Sequence, residues 1–237
     1  MKISIIIPIL NEAATIGKLL SHLTQVASDS GNNIKEILVV DGGSTDKSKD
    51  IVQDISNREL ITIKLISSSK GRAKQLNAGA QKAESEILYF LHADSLPPTD
   101  FDNYILNEVK KGNEAGCFRM KFDHNHWWLR FLGWLTQFKS KRCRGGDQSQ
   151  FITTTLFTEI GGYDEKFIVY EDNDLVDRLF AINTFVIIPK DVITSARRYK
   201  EIGVWRLQYH FFNIHMRKWM GASSEDLYQY YKDRVAN

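Results

Sequence analysis

The sequence predicts an α/β fold with a parallel sheet at its centre. Three observations predict it. Four short β-branched or apolar runs occur between residues 3 and 91, helical periodicity separates them, and polar residues cluster just past the end of each run.

Residues 3–9, ISIIIPI, form the first run, apolar enough for a strand covered on both faces. Ile16, Leu19, Leu20 and Leu23 follow at i, i+3, i+4 and i+7, the spacing of a helix with one buried stripe. EILVVD (36–41) is the second strand, and Ser44 is placed to N-cap a helix carrying Ile51, Val52 and Ile55. ITIKLIS (61–67) is the third. Ala73, Leu76, Ala80 and Ala83 then give a helix face of small side chains that sits close to a sheet. EILYFL (86–91) is the fourth strand. Strand–helix alternation at this spacing implies parallel strands joined by right-handed crossovers.

The totals suit a soluble globular chain. Of 237 residues, 43% are hydrophobic and 25% charged, and the formal net charge is +2. That balance argues against a dedicated nucleic-acid binder. Two cysteines, Cys117 and Cys143, fit neither a disulfide framework nor a Cys-rich zinc site, so a reducing compartment is expected. The apolar run in MKISIIIPIL is too short for a signal peptide, and no run of about 20 apolar residues exists to span a bilayer. The expectation is a cytoplasmic protein, free or held peripherally on the inner membrane face.

In open α/β sheets ligands collect beyond the carboxyl ends of the strands. The first strand ends on Asn11 and Glu12, and the second on Asp41 with two glycines that allow a sharp turn. The third leads to Lys70, Arg72 and Lys74 at a helix start, where free N–H groups and cations attract phosphate. The fourth ends on His92 and Asp94. Each has a plainer reading: a common Asp-Gly-Gly turn, solvated loop cations, or Asp94 capping a helix that starts near Pro98. There is no Gly-x-Gly-x-x-Gly fingerprint after the first strand and no Gly-x-x-x-x-Gly-Lys-Ser/Thr loop. A nucleotide-diphosphate cleft accounts for the set. Asp41 accepts from base or ribose, the cations face the phosphates, and Asp94 holds Mg²⁺ or Mn²⁺ across the diphosphate. His92 shares its strand face if the strand continues, and an imidazole there suits Mn²⁺ better than Mg²⁺.

SIIIPILNE, ILVVDGGSTD, GRAKQLNAGA, LHADS, GGDQSQFI and GGYDEKFIVYEDNDLVDRL, in that order, resemble the family 2 glycosyltransferases of GT-A fold over roughly residues 3–190. With TSARRY (194–199) the chain is most similar to the small cytosolic subgroup linked to arsenosugar biosynthesis. The resemblance implies a GT-A domain over 1–190, with 191–237 as a helical extension packed on it. It puts Pro8, Glu12, Asp41 and Arg72 in the nucleotide pocket, and Asp94 at the last position of an Asp-x-Asp metal motif whose first aspartate is here His92. The candidate nucleotide-sugar site is Pro8, Asn11, Glu12, Asp41, Gly43, Ser44, Lys70, Gly71, Arg72, Gln75, His92, Ala93 and Asp94, with Asp94 and His92 as metal ligands.

Sugar transfer with inversion needs a base for the acceptor hydroxyl and charge stabilisation on the departing diphosphate. Glu171 and Asp172 are the candidates, and the resemblance places the base in this pair. Asp172, Leu175, Val176, Leu179 and Phe180 recur with helical spacing, so Asp172 is expected to head the inward stripe, kept ionised by the helix dipole. The alternative is that both acids only cap the helix. By resemblance, Gly146, Asp147 and Gln148 sit where donor sugar and acceptor meet, with a plain turn as the rival reading. Arg197 and Arg198 either reach the diphosphate as a closing segment or are surface arginines.

Two segments carry aromatic stripes. One is Trp128, Phe131, Leu132 and Leu135, broadened by Trp127, Trp134 and Phe138; the other is Trp205, Tyr209, Phe212, Met216 and Trp219. Arg206, His210, Asn213 and Arg217 lie opposite the second stripe. Core packing or a subunit contact (a homo-oligomer) is the first reading, and a membrane interface the second. His124, His126, His210 and His215 lack zinc-like spacing.

The expected function is metal-dependent inverting transfer of a sugar from a nucleotide diphosphate, most often UDP in this family, to a hydroxyl acceptor. A nucleotidyltransferase and a non-catalytic nucleotide-sugar-binding scaffold are the alternatives.

Overall fold

The computed structural model describes residues 1–27, 33–144, 148–182 and 185–235. The strands are β1 (Ile3–Ile9), β2 (Ile34–Asp41), β3 (Ile63–Ser67), β4 (Ile87–Phe90), β5 (Ser95–Leu96), β6 (Ala115–Phe122), β7 (Gln150–Thr153) and β8 (Phe185–Thr194). The helices are α1 (Ile16–Val26), α2 (Ser48–Ser56), α3 (Arg72–Lys82), α4 (Phe101–Lys110), α5 (Trp127–Leu135), α6 (Thr154–Glu159), α7 (Glu171–Ala181), α8 (Arg197–Ile202), α9 (Val204–Trp219) and α10 (Ser224–Arg234).

All strands join one sheet of order β3-β2-β1-β4-β7-β6-β8-β5. The predicted parallel half is present: β1 pairs parallel with both β2 and β4, and β2 with β3. The second half is mixed. There β7 runs antiparallel to β4 and β6, β6 pairs parallel with β8, and β5 runs antiparallel to β8. Two apolar layers cover the sheet, one containing Ile5, Ile7, Leu19 and Tyr89, the other Ile6, Val40, Leu76 and Leu175. The sheet-facing side of α1 is Ile16, Leu19, Leu20 and Leu23, as the spacing predicts.

Because the chain steps outward from β1 to β2 and β3 and then crosses back to β4 on the other side of β1, the strand order reverses at β1/β4. That is where such sheets open a crevice. Pairing with β4 covers only Ile3–Ile6, and the amide of Leu91 closes it on the carbonyl of Ile6 (3.0 Å). Pro8, two residues on, has its nitrogen on that same side, where no ladder bond is needed.

Three local expectations are corrected. Ser44 does not cap α2, which starts at Ser48; instead its hydroxyl accepts from the amide of Asn11 (2.9 Å), and Asp46 takes the Ser48 amide (3.0 Å). Asp94 does not cap the helix after the prolines, because that helix begins at Phe101 behind Asp100, whose φ is 58°. The fourth strand ends at Phe90, and the amide of Ser95 donates to the carbonyl of His92 (3.1 Å), so His92 and Asp94 lie in a turn and not on one strand face.

At the other end, β8 crosses residue 190 and runs to Thr194, and Ser95 of β5 pairs with it. The helices after it gather on a third cluster that includes Phe122, Leu129, Tyr199 and Leu207.

Candidate active site

The loops at the carboxyl ends of β1 and β2 are tied together by side chains. Asn11, held at φ 58°, accepts from the amide of Thr45 (2.8 Å), and the amide of Glu12 donates to Ser48 Oγ (2.8 Å). Asp41 is buried and accepts from the amides of Ser44 (2.9 Å) and Gly43 (3.2 Å), which fixes the Asp-Gly-Gly turn. Gly43 has φ 98°, a left-handed conformation that favours glycine. Gln75 donates both amide hydrogens to backbone carbonyls, of Ile9 and Val40 (each 2.8 Å), so only its oxygen is left for a ligand.

Next to these loops lies a cleft of about 1830 Å³. Its polar end is lined by Pro8, Glu12, Lys70, Gly71, Arg72 and Gln75 from the β1 and β3 ends, and by Glu171 and Asp172 from the first turn of α7. Arg72 joins the two groups. Its Nη1 donates to Glu171 Oε1 at 3.1 Å and stands 3.6 Å from Asp172 Oδ2. His92 Nε2 is 3.8 Å from the same Asp172 oxygen. Burial, and then the Arg72 charge, push the His92 imidazole down to about 3, so it is neutral and its contact with Asp172 is not an ion pair.

The two acids of α7 have opposite settings. The side chain of Glu171 is 2% exposed and heads the buried row with Leu175, Val176 and Leu179; that of Asp172 is 13% exposed. The spacing argument that put Asp172 on the inward stripe is therefore corrected. Glu171 points inward onto Arg72, and Asp172 is the carboxylate the cleft can reach. Neither side chain caps the helix: the N-cap is Tyr170, at φ 80°, with no side-chain cap bond, so α7 begins at a strained non-glycine residue beside the site. The preceding loop is pinned by Asn77, which bonds the amide (3.0 Å) and carbonyl (2.9 Å) of Tyr163.

The segment after β8 closes over this end. Ser95 Oγ and Thr194 Oγ1 are 3.1 Å apart, which anchors residues 194–199 next to the turn carrying His92, Ala93 and Asp94. From there Arg197 Nη2 reaches to 3.7 Å from Glu12 Oε1. Arg198 also lines the cleft, its guanidinium 5.3 Å from the ring centre of Tyr231. Gln148 is buried and accepts from Arg144 Nη1 (3.0 Å), while Gly146 and Asp147 lie outside the described residues.

Sequence reasoning did not single out Arg144. It is buried in the cleft wall, and its guanidinium donates to the carbonyls of Thr136 and Phe138 and to Gln148. The basic run after Phe138 contained the signal, but nothing in it marked which arginine turns in. Beyond the charged end the cleft becomes apolar, with Met120, Leu132, Leu135, Phe212 and Met216 on its walls.

Among the described residues no three His, Cys, Asp or Glu side chains gather to hold a metal by themselves. An ion bridging a diphosphate asks less of the protein, one or two carboxylates plus substrate oxygens. His92 and Asp94, in the turn after β4, offer a neutral imidazole and a carboxylate, donor types that Mn²⁺ accepts.

An α/β sheet with a crevice at β1/β4 and acids facing a basic loop defines a protein of GT-A fold, and the solved structures it is similar to agree. S. aureus TarS matches with TM-score 0.67 and 19% identity, over 87% of this chain and 39% of that one; TarS 1–349 has also been solved with UDP and with UDP-GlcNAc. A mannosyltransferase from Pyrobaculum calidifontis, in complex with GDP-Man and Mn²⁺, matches with TM-score 0.70 and 17% identity, over 97% of this chain and 69% of that one. In sequence, a probable glycosyltransferase of Bacillus subtilis (strain 168), YdaM, is 24% identical over 223 residues, 86% of this chain; the chain spans 52% of that relative's length. The family model for glycosyl transferase family 2 matches residues 4–163, and the chain belongs to that family.

Proposed function

We propose that this protein transfers a sugar, with inversion, from a nucleotide-diphosphate donor to a hydroxyl acceptor, with Asp172 as the general base. The observation that carries the reading is the placement of Asp172: the more accessible acid of the α7 pair at the cleft's charged end, 3.6 Å from Arg72 and 3.8 Å from His92. Glu171 beside it is buried on Arg72 and holds the arginine in place. The acceptor oxygen attacks the anomeric carbon, its proton passes to the Asp172 carboxylate, and the bond from that carbon to the diphosphate oxygen breaks to release the nucleoside diphosphate.

On the donor side, the β1 and β2 loops around Glu12 and Asp41 receive base and ribose, and Lys70, Gly71 and Arg72 face the phosphates. Asp94 and His92 are the residues that would hold Mn²⁺ or Mg²⁺. When bound, the ion neutralises charge on the leaving diphosphate. Neighbouring structures with UDP, UDP-GlcNAc and GDP-Man support a nucleotide-sugar donor, and UDP is the first to try. The likeness to the arsenosugar subgroup rests on residues 194–199, and Arg197 is the member of that segment that reaches the donor side. We place the reaction in the cytoplasm, with the catalytic domain, expected over residues 1–190, running on to the end of β8 at Thr194, and with Gln148 near the donor sugar.

The test uses Asp172→Asn and wild type against a panel of sugar nucleotides with Mn²⁺. Wild type should release nucleoside diphosphate, and the variant should lose turnover by a hundredfold or more while its thermal shift with the nucleotide survives. Near-normal turnover in the variant overturns the assignment of the base. Release of pyrophosphate by wild type overturns the reaction.

A further inference from the structure

Helix α9 is apolar on two opposite sides. Its inner side is Leu207, His210 and Ile214, with His210 bonded to the hydroxyl of Tyr230 (2.9 Å). The aromatic stripe read from the sequence is therefore not core, and His210, expected on the polar side, is buried. Trp205 and Phe212 are 56% and 59% exposed. The same holds on α5, where Leu129 is the buried residue and Trp127 and Trp134 are 62% and 54% exposed.

The two outer sides are one surface. The Trp205 ring centre lies 5.7 Å from that of Trp127, and the aromatic row continues through Phe131 and Trp134 (5.9 Å apart) to Phe138 (4.9 Å from Trp134). Exposed patches of this kind on a soluble chain mark a contact surface. Its charge identifies the partner. From 124 to 146 the sequence has no Asp or Glu and five Arg or Lys, of which Arg144 is buried and Lys141 pairs with Asp177; from 204 to 220 it has three Arg or Lys and no acid. Arg130 and Arg206 are exposed beside these rings, and Lys139 follows Phe138 directly.

We infer that the outer side of α5 and α9 docks on an anionic bilayer surface. Tryptophan and tyrosine favour the water–lipid boundary, and flanking cations add attraction to anionic headgroups. A second copy fits less well, because a two-fold contact brings each basic patch against itself. No helix among the described residues is long and apolar enough to cross a membrane. The apolar end of the cleft is walled by the same helices, through Leu132, Leu135, Phe212 and Met216. The docked side is thus the side on which that end of the cleft lies.

The test is co-sedimentation of the full chain with vesicles of phosphatidylcholine alone and of phosphatidylcholine with phosphatidylglycerol, read without turnover and so independent of the sugar-transfer reading. Binding should need phosphatidylglycerol, weaken with salt, and fall at least tenfold in Trp127→Ser/Phe131→Ser/Trp205→Ser. Arg130→Glu/Lys139→Glu, which leaves every ring in place, should weaken it several-fold. No binding to the anionic vesicles, or equal binding by both variants and wild type, overturns the inference. So does a wild-type dimer by sedimentation that the serine variant splits and that does not bind vesicles.

Discussion

Nε2 of His92 stands 3.8 Å from Oδ2 of Asp172, placing the end of β4 against the start of α7. Burial and Arg72 hold this imidazole down to about 3, against an ordinary value of 6.5. Between those values the unfolded chain binds a proton that the folded chain refuses. Stability therefore rises with pH across the window, and is lost as pH falls from about 6.5 toward 3, at up to about 1.4 kcal/mol per pH unit. His92→Gln should flatten this part of the profile. Urea unfolding of both proteins between pH 4 and 7 checks it; parallel profiles would show that His92 titrates normally.

Arg72 and Glu171 form a half-open, half-buried pair. The arginine side chain is 44% exposed and the carboxylate 2%, so removing the arginine leaves a buried acid short of its partner. Arg72→Met should cost about 1–3 kcal/mol, below the figure for a fully buried pair because water reaches the guanidinium. Adding Glu171→Gln should restore much of that loss. A double-mutant cycle by urea unfolding measures the coupling, and additive losses would mean the pair is not energetically linked.

The parallel half of the fold was legible because β1, β2 and β4 are each built on an apolar run: the bounds of β1 and the buried stripe of α1 follow from composition and spacing alone. The mixed half was not. Its strands β5 and β7 have only two and four residues, too few to show a period, and Gln150 sits in one of them. Of the site, the strand-end polar residues were readable, since the sheet's direction gathers them on one edge. Their division of labour was not. Whether Asp41 and Gln75 face a ligand or hold the loops depends on backbone amides and carbonyls that sequence does not place. Periodicity found the aromatic stripes, but a helix with two apolar sides gives no sign of which one turns in.

Gly79, which sequence reasoning did not single out, marks a close approach of α3 to the sheet. A methyl there would lie 2.5 Å from Ile6 Cγ2 and 3.0 Å from Val40 Cγ2, both on fully buried residues. Alanine's better helix propensity, about 1 kcal/mol, is smaller than the repacking this forces. Gly79→Ala should destabilise by about 1–3 kcal/mol and lower the urea midpoint at unchanged m-value. A neutral or stabilised variant would show that α3 can lift off the sheet at no cost.

Arg197 separates a donor contact from a structural one. Its only described ion pair, with Glu12 at 3.7 Å, is half open to solvent, and such pairs contribute about 0–1 kcal/mol. Arg197→Ala should therefore leave the melting temperature of the free protein nearly unchanged. A nucleotide diphosphate arriving beside Glu12 gives the guanidinium a better partner, and charge-assisted hydrogen bonds of that kind contribute about 1.5–3 kcal/mol. The KM for the donor should then rise roughly tenfold to a hundredfold, with a smaller change for the acceptor. Steady-state kinetics with each substrate varied, beside a melting curve, gives both numbers. A fall in stability with donor KM unchanged would make Arg197 a strut between residues 194–199 and the β1 loop, and not a donor ligand.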